Sequence, residues 1–299
     1  MTAAMSQFDA LEPGAVDREA APAQNQEGAN LSVRDLTRLL HIDCPDEAWL
    51  ARTSFALRRV REGESLVRAG DKFHSLYVVR SGCFKTVYTD FSGSEQVLGF
   101  PMCGDLMGAD GIDSGQYSST AVSLDTSEVA IVPFANLARM VYECPRLEPL
   151  LYRVLSRELV RVQNMAWTLG TLGAEGRVAA FLLALSARLG ALGYSRCSFN
   201  LRMTRQEIGS YLGLKLETVS RSLSTLNAAG IIQVHQRSVD IVDADALRCV
   251  VDPAAGAAAS IAPPPEPAAA QGGAASGKRA RKQRPQSQHG LAWRQLAAA

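Results

Sequence analysis

The chain has 299 residues, with 31 basic and 30 acidic side chains, a formal net charge of +1 and 47% hydrophobic residues. Such a composition is typical of a globular protein with two or three domains, and it excludes collagen-like and wholly disordered chains. Its apolar runs stop far short of the roughly 20 residues that a membrane-spanning helix needs. Residues 1–30 also lack a secretory signal pattern, so we expect a cytoplasmic protein that does not bind membranes.

The two ends of the chain are predicted to be disordered. Residues 1–30 are rich in Ala, Gln, Glu, Pro and Gly, and residues 253–299 consist largely of Ala, Pro, Gly and Ser. Segments of this kind bury too little apolar surface to offset the entropy that ordering costs. The C-terminal segment carries a basic cluster that either contacts phosphates or is simply solvated: Lys278, Arg279, Arg281, Lys282 and Arg284.

Residues 31–145 are predicted to form an antiparallel β-roll with flanking helices. Over residues 55–133, short runs rich in Val, Leu, Tyr and Phe are separated by glycines, several of them at the roughly 8 to 12 residue spacing of turns between short strands. The clearest pattern is a strand over residues 76–80, a turn at residues 81–82 and a second strand over residues 83–88.

Residues 146–172 are predicted to form a long helix that joins two copies of the chain. Apolar residues recur on one side at steps of three and four, which is the spacing of a coiled-coil seam. The opposite face carries several arginines, as an exposed coiled-coil strand does; the alternative is a core helix packed within its own domain. Because no seam position is charged, the dimer should not need a ligand that neutralises repulsion. The predicted seam comprises Leu151, Leu155, Leu159, Val162, Met165 and Leu169.

Residues 173–252 are predicted to form a winged helix-turn-helix after a leading helix over residues 174–189. Thr204 and Glu207 have the spacing of a capping box, in which the hydroxyl and the carboxylate satisfy backbone donors at a helix start. A positive φ at residue 213, which is glycine, ends this first helix. A second helix then follows over residues 215–226.

A β-hairpin is predicted directly after the second helix. Residues 231–242 alternate between apolar and polar side chains and turn around residues 236–238. This hairpin would be the wing of the module, with Arg237 at its tip.

Three side chains of the second helix are predicted to read DNA bases. Glu217, Ser220 and Arg221 lie at i, i+3 and i+4 and share a face near the N-terminal end, which a recognition helix presents to the major groove of double-stranded DNA. A guanidinium donates two hydrogen bonds to guanine, and a carboxylate accepts one from cytosine. The alternative is a surface salt bridge worth roughly a few tenths of a kcal/mol. The predicted phosphate contacts are Arg202, Thr204, Arg205, Lys215, Thr218 and Arg237.

The order of β-roll, long helix and winged helix-turn-helix resembles that of the CRP/FNR superfamily of bacterial transcription regulators. The resemblance covers about residues 33–250, with specific similarity at residues 76–82, 99–106 and 203–214 and in the Glu-x-x-Ser-Arg motif of residues 217–221. It implies an α+β fold and a homodimer that reads two inverted TTGAT-like half-sites. It also implies that the protein activates transcription by contacting RNA polymerase, in a branch that often controls responses to low oxygen.

The sequence departs from the pattern by which members of this family bind cyclic nucleotides. Those members hold the phosphate with a Glu after a Gly and with an Arg about ten residues later, because a buried phosphate needs a fixed cationic partner. Here Ala109 follows Gly108, and Ser118 and Ser119 stand where an Arg-Ser pair is expected. We therefore expect no cyclic nucleotide.

The sequence also departs from the iron-sulfur pattern of the oxygen-sensing members. Those members use closely spaced N-terminal cysteines and one more in the β-roll, since a [4Fe-4S] cube needs four thiolates. This chain has a single N-terminal cysteine, Cys44, and Ala130 occupies the internal position. We therefore expect no metal and no cofactor, with control by abundance or thiol oxidation and mostly reduced, buried thiols. The alternative is an unusual cluster site formed by Cys44, Cys83, Cys103 and Cys144.

Three other functions compete with this interpretation. In the first, the protein is still a regulator, but a small-molecule effector binds in the β-roll cavity. In the second, the protein is an enzyme or a regulatory subunit whose β-roll binds a substrate. In the third, the helix-turn-helix binds another protein. The enzyme alternative is disfavoured because the four histidines are dispersed and none lies near a candidate nucleophile: His41, His74, His235 and His289. We expect that the protein is not an enzyme. Salt dependence separates DNA binding from protein binding, because phosphate contacts give a steep negative slope.

Overall fold

A computed structural model describes residues 30–41 and 53–252 and confirms the predicted α+β fold. The helices are α1 (Val33–Leu39), α2 (Phe134–Glu143), α3 (Glu148–Thr171), α4 (Ala174–Ala191), α5 (Arg205–Leu212), α6 (Leu216–Ala228) and α7 (Ala244–Val251). The strands are β1 (Asn30–Ser32), β2 (Ser54–Val60), β3 (Ser65–Val67), β4 (Ser75–Ser81), β5 (Phe84–Thr89), β6 (Glu95–Gly99), β7 (Leu106–Met107), β8 (Thr120–Ser123), β9 (Ser127–Pro133), β10 (Ser198–Asn200), β11 (Ile232–His235) and β12 (Ser238–Ile241).

Several features predicted from the sequence lie outside the described residues. They are residues 1–29 and 253–299 of the predicted disordered segments, together with Cys44, His289 and the C-terminal basic cluster. Asn30, which the sequence places in the first of these segments, begins β1 and pairs with Ala56 of β2.

The β-roll consists of two antiparallel sheets. One has the strand order β1-β2-β9-β4-β7 and the other β3-β8-β5-β6. The predicted strands β4 and β5 are joined by the predicted turn, in which Gly82 has φ 92°. They nevertheless belong to different sheets, because β4 pairs with β7 and β9 whereas β5 pairs with β6 and β8. The turn therefore carries the chain from one sheet to the other, and a side chain at Gly82 would collide with Ser127.

Strand β4 is buried on both faces, which explains its continuous apolar sequence. Leu76 and Val78 face a cluster that includes residues of α1 and α2. Tyr77 and Val79, which alternate with them, face the interior between the two sheets. This strand thus divides the β-roll into an inner core and a helix-covered outer face.

Large aromatic side chains fill the interior between the two sheets. Phe84 and Tyr117 are almost completely buried there beside Tyr77. The Tyr117 hydroxyl donates to the Ser75 carbonyl at 2.8 Å, accepts from the Ser75 N–H at 3.2 Å and lies 3.0 Å from His74 Nδ1. The interior polar group is therefore fully hydrogen-bonded.

Helix α3 packs along the β-roll through one side and leaves the rest of its surface exposed. Among its described residues Val154 alone is buried, and Arg157 donates to the carbonyl of His41 at 3.1 Å. In the predicted seam, Leu151, Leu155 and Met165 are partly buried, whereas the other three side chains are exposed in this single chain: Leu159, Val162 and Leu169. No helix in the described ranges has the length and apolar character needed to cross a bilayer.

The C-terminal part is a helix-turn-helix followed by a small sheet. β11 and β12 form the predicted hairpin, with Gln236 at φ 54° in its turn. β10 adds a third strand to β12, and α7 packs against α4. β10 and α7 are not evident in the sequence, because both are short and depend on contacts with distant segments.

One of the three hydrophobic clusters contains residues of both the β-roll and the helix-turn-helix part, whereas the other two lie within the β-roll and the helices that flank it. Phe100 after β6 packs edge-on against Phe181 of α4 and Tyr211 of α5, with ring centroids 6.1 and 5.3 Å apart. Cys83 and Val97 belong to the same buried cluster as the core of the helix-turn-helix. The two parts therefore pack directly against each other, in addition to being connected through α3.

Tyr117→Phe should lower the free energy of unfolding by about 1–3 kcal/mol, because it removes a buried hydroxyl that pairs with Ser75 in both directions. Urea denaturation of the full chain measures this loss. Tyr142→Phe is the matched control, since Tyr142 is 87% exposed and should change little. Equal stabilities of the two variants would contradict the assigned role of the hydroxyl.

Candidate nucleic-acid interface

The first helix of the helix-turn-helix begins with the predicted capping box, which the structure confirms. The Thr204 hydroxyl accepts from the Glu207 N–H at 3.2 Å, and the Glu207 carboxylate accepts from the Thr204 N–H at 2.7 Å. Helix α5 ends at Gly213, which adopts φ 63°. Together these residues fix both ends of a helix of only eight residues.

A close backbone approach holds α5 against the turn that leads into α6. A Cβ added to Gly209 would lie 2.6 Å from the Leu214 carbonyl oxygen, so only glycine fits there. The adjoining small core buries Ile208, Leu212 and Val219. This packing sets the direction in which α6 projects its N-terminal end.

The predicted base-reading side chains lie on one accessible face of α6. Glu217 and Arg221 are exposed, and Ser220 is partly buried. Arg205 of α5 donates to the Ser220 hydroxyl at 3.3 Å. Within the described part of the chain, neither Glu217 nor Arg221 forms an ion pair, with each other or with another residue. The arrangement therefore disfavours the salt-bridge alternative and leaves both charged groups available for a ligand.

The N-terminus of α6 is open to an anion. Lys215 occupies its N-cap without a capping side chain, so no side-chain oxygen satisfies the first backbone N–H groups. Lys215 is exposed and Thr218 is partly buried beside it. Free N–H groups at a helix start, with a lysine next to them, form a suitable contact for a phosphate.

The remaining predicted phosphate contacts differ in availability. Arg237 is exposed in the hairpin turn, whereas the Thr204 hydroxyl is occupied by the capping box. The Arg205 guanidinium lies against Ser220. The Arg202 guanidinium forms an ion pair with Asp125 of the β-roll.

Strands β5 and β6 of the β-roll contact α5 through polar groups. Lys85 Nζ lies 2.8 Å from a Glu207 carboxylate oxygen. The Val97 N–H donates to the Ser210 hydroxyl at 2.9 Å, and the Gln96 side chain donates to the Ser210 carbonyl. These contacts are not evident in the sequence, because their partners are separated by more than 100 residues and no local pattern pairs them.

Asp105 is a buried carboxylate that joins three parts of the chain. It lies just before β7 and accepts from the Met102 N–H at 2.8 Å. Arg161 of α3 lies 2.6 Å from one of its oxygens, and Arg188 of α4 pairs with the other. Burial opposes the charge of Arg161, but Asp105 and Glu158 hold its pKa above the ordinary value.

The region where a cyclic-nucleotide phosphate would be expected contains a carboxylate. The hydroxyls of Ser118 and Ser119 donate to Asp110 at 2.8 and 2.7 Å. Ala109 and Gly111 belong to the 3-10 turn that precedes them. An acidic group bonded to the two serines disfavours a second anion at the same place.

The described cysteines do not form a site for a cluster. Burial raises the pKa of Cys83 to about 11, and it also raises the pKa of Cys103. Cys144 is buried, and Cys83 and Cys103 are free thiols. Within residues 30–41 and 53–252, no three histidine, cysteine or acidic side chains are close enough to hold a metal ion. These residues therefore do not fit an iron-sulfur cube, and Cys44 lies outside the described part.

Two protein-family models match the chain. Residues 57–143 match a cyclic nucleotide-binding domain, and residues 176–250 match a Crp-like helix-turn-helix domain. The first range corresponds to most of the β-roll, and the second begins in α4 and includes the helix-turn-helix and its wing.

Two curated proteins and one solved structure are similar along most of their own lengths. The transcriptional regulatory protein btr of Bordetella pertussis is 42% identical over 193 residues, which cover 64% of this chain and 80% of btr. The transcriptional activator protein FnrA of Stutzerimonas stutzeri is 38% identical over 200 residues, covering 67% and 82%. The structure of FixK2 from Bradyrhizobium japonicum has a TM-score of 0.59 and 27% identity, covering 65% of this chain and 96% of FixK2.

Glu207 should stabilise the fold in a pH-dependent way. Burial acts to raise its pKa, but hydrogen bonds from Lys85 and from Thr204 outweigh this and hold the pKa below the ordinary value. A depressed folded-state pKa gives stability that is present above the unfolded-state pKa and lost as the pH falls through the folded-state pKa.

Glu207→Gln is therefore expected to lower the unfolding free energy by about 1 kcal/mol at neutral pH. The difference from the parent chain should shrink as the pH falls below about 4. Urea denaturation at a series of pH values measures this. Glu62→Gln, at an exposed carboxylate between β2 and β3, is the control. A deficit that does not change with pH would argue against the charged pairing.

Proposed function

The chain belongs to the CRP/FNR family of transcription regulators, and we propose that it acts as a homodimer that reads an inverted repeat of TTGAT-like half-sites. The observation that carries this proposal is that Glu217 and Arg221 are exposed on α6 and form no ion pair within the described residues. In this proposal residues 31–145 form the sensor-like domain, 146–172 the dimerisation helix and 173–252 the DNA-binding domain. As a regulator of this kind, the protein would act in the cytoplasm, where the DNA lies.

The chemistry of the α6 face supports base reading in the major groove. A guanidinium such as that of Arg221 donates two parallel hydrogen bonds to O6 and N7 of guanine, and a carboxylate such as that of Glu217 accepts from N4 of cytosine. Ser220, on the same face, accepts a hydrogen bond from Arg205 through its hydroxyl. Phosphates on either side would be bound by Lys215, the free N–H groups of α6 and Arg237 in the wing. The whole set would then read one half-site.

The exposed surface of α3 supports the homodimer. Leu159 and Val162 are 58% and 66% exposed in the single chain. Burying large aliphatic side chains against a second copy of the same helix gives a self-complementary interface. A dimer in turn presents two recognition helices to successive major grooves, which an inverted repeat requires.

The filled β-roll supports regulation without a cyclic nucleotide. The space between the sheets is occupied by Tyr77, Phe84 and Tyr117. Asp110 accepts hydrogen bonds from the hydroxyls of Ser118 and Ser119. The raised pKa of Cys83 disfavours a thiolate ligand or redox thiol at that position. The proposal therefore contains neither a nucleotide nor an iron-sulfur cluster, and activation through contact with RNA polymerase is part of it.

Arg221→Ala should weaken binding to a TTGAT-type operator by about 1–3 kcal/mol and relax the preference at its guanine. Gel-shift titrations at fixed salt, on the operator and on a variant with the guanine replaced, measure both effects. Arg139→Ala removes the same charge from the exposed surface of α2 and serves as the control. Equal losses on operator and scrambled DNA would refute base reading, and a flat salt dependence would favour a protein ligand for the helix-turn-helix.

Val162→Asp should convert the dimer to a monomer or weaken dimerisation at least about tenfold, because it places an unpaired charge in the seam. Sedimentation equilibrium measures the change. Val160→Asp is a matched control: Val160 is also exposed, but two residues correspond to about 200° around a helix. If Val160→Asp disrupts the dimer and Val162→Asp does not, the predicted seam is on the wrong face.

A further inference from the structure

Asp125 is an anchored carboxylate on the β-roll. It lies in the turn between β8 and β9, and its side chain is 20% exposed. One of its oxygens accepts from the Cys83 N–H at 3.0 Å and from the Ser127 hydroxyl at 2.8 Å. The position of the carboxylate is therefore fixed by its own domain, and the second oxygen points out toward the helix-turn-helix.

The partner of that second oxygen is an arginine of the DNA-binding part. Arg202 lies between β10 and α5, two residues before the capping box, and its guanidinium contacts the Asp125 carboxylate. Its side chain is still 56% exposed, so it remains accessible to solvent and to ions. A guanidinium uses the same N–H donors to bind a carboxylate or a phosphate. The Arg202 guanidinium therefore cannot make all of these hydrogen bonds to both groups at once.

Neighbouring contacts hold the two domains in the position that allows this pair. Lys85 pairs with Glu207 at 2.8 Å, and Ser210 accepts from the Val97 N–H at 2.9 Å. Phe100 and Tyr211 pack in the apolar part of the same interface. The ion pair is thus one part of a packed surface, in which an anchored carboxylate faces a half-exposed guanidinium.

We propose that Asp125 competes with DNA for Arg202 and thereby weakens operator binding in the docked arrangement of the β-roll and the helix-turn-helix. This inference rests on the proposed function, because it concerns the same DNA-binding surface. When the operator binds, the Arg202 guanidinium exchanges the carboxylate for a backbone phosphate. Each operator complex therefore loses the free energy of the interdomain ion pair, and a domain movement that separates Asp125 from Arg202 strengthens binding.

The test is Asp125→Asn in the full chain. The asparagine oxygen retains an acceptor for the Cys83 N–H and Ser127, so the turn keeps its anchor while the charge facing Arg202 is lost. Operator affinity should rise about three- to tenfold. The logarithm of the operator association constant should fall more steeply with the logarithm of the salt concentration. The slope should steepen by up to about 0.9, which is the contribution of one further phosphate contact. Fluorescence anisotropy with a labelled operator and a scrambled duplex measures both.

Two further variants show whether the gain passes through Arg202. Asp113→Asn makes the same charge change on an exposed loop between β7 and β8 and should leave affinity within about twofold of the parent chain. Arg202→Gln should abolish the gain that Asp125→Asn produces, so that the double variant binds like Arg202→Gln alone.

The outcomes separate this inference from the proposed function. If the parent chain prefers the operator over scrambled DNA but Asp125→Asn binds no better than Asp113→Asn, competition by Asp125 is wrong and base reading stands. A gain that persists in the Arg202→Gln background also overturns it. If no variant prefers the operator, the base-reading proposal itself fails.

Discussion

The buried Asp105 carboxylate ties together the β-roll, α3 and α4. Its two oxygens face Arg161 and Arg188, which belong to different helices, and the Met102 N–H completes its environment. Burying a carboxylate that is 5% exposed costs free energy that only such partners can offset. The relative position of the three parts is therefore set by a charge that none of them could bury alone.

The position of the helix-turn-helix relative to the β-roll depends on these contacts of Asp105. Arg188 joins α4 to Asp105. In the same interface, Phe100 packs against Phe181 and Tyr211, and α5 lies against strands β5 and β6. The shared core leaves the start of α6 exposed but brings Arg202 against Asp125. The proposed DNA-contacting side chains thus differ in their dependence on the β-roll: Glu217 and Arg221 are exposed on α6, whereas Arg202 is paired with Asp125 of the β-roll.

The β-roll has the architecture of a cyclic nucleotide-binding domain, with a carboxylate near the position expected for the phosphate. Its family model matches residues 57–143, yet Asp110 accepts from both serines at the expected phosphate position. Aromatic side chains occupy the interior. The ion pairs between the β-roll and the C-terminal part lie where the β-roll packs against α4 and the start of α5.

The sequence by itself determined the features that depend on neighbours a few residues apart. The capping box of Thr204 and Glu207, the turn at Gly213 and the hairpin after α6 follow from local hydrogen bonding and backbone preference. The order of the domains follows from the successive sequence patterns, and that order carries the resemblance to CRP/FNR regulators. Only the tertiary structure decided that β4 and β5 join different sheets and that Asp125 faces Arg202. Such pairings depend on long-range packing and desolvation, and no spacing along the chain encodes which distant charge lies opposite.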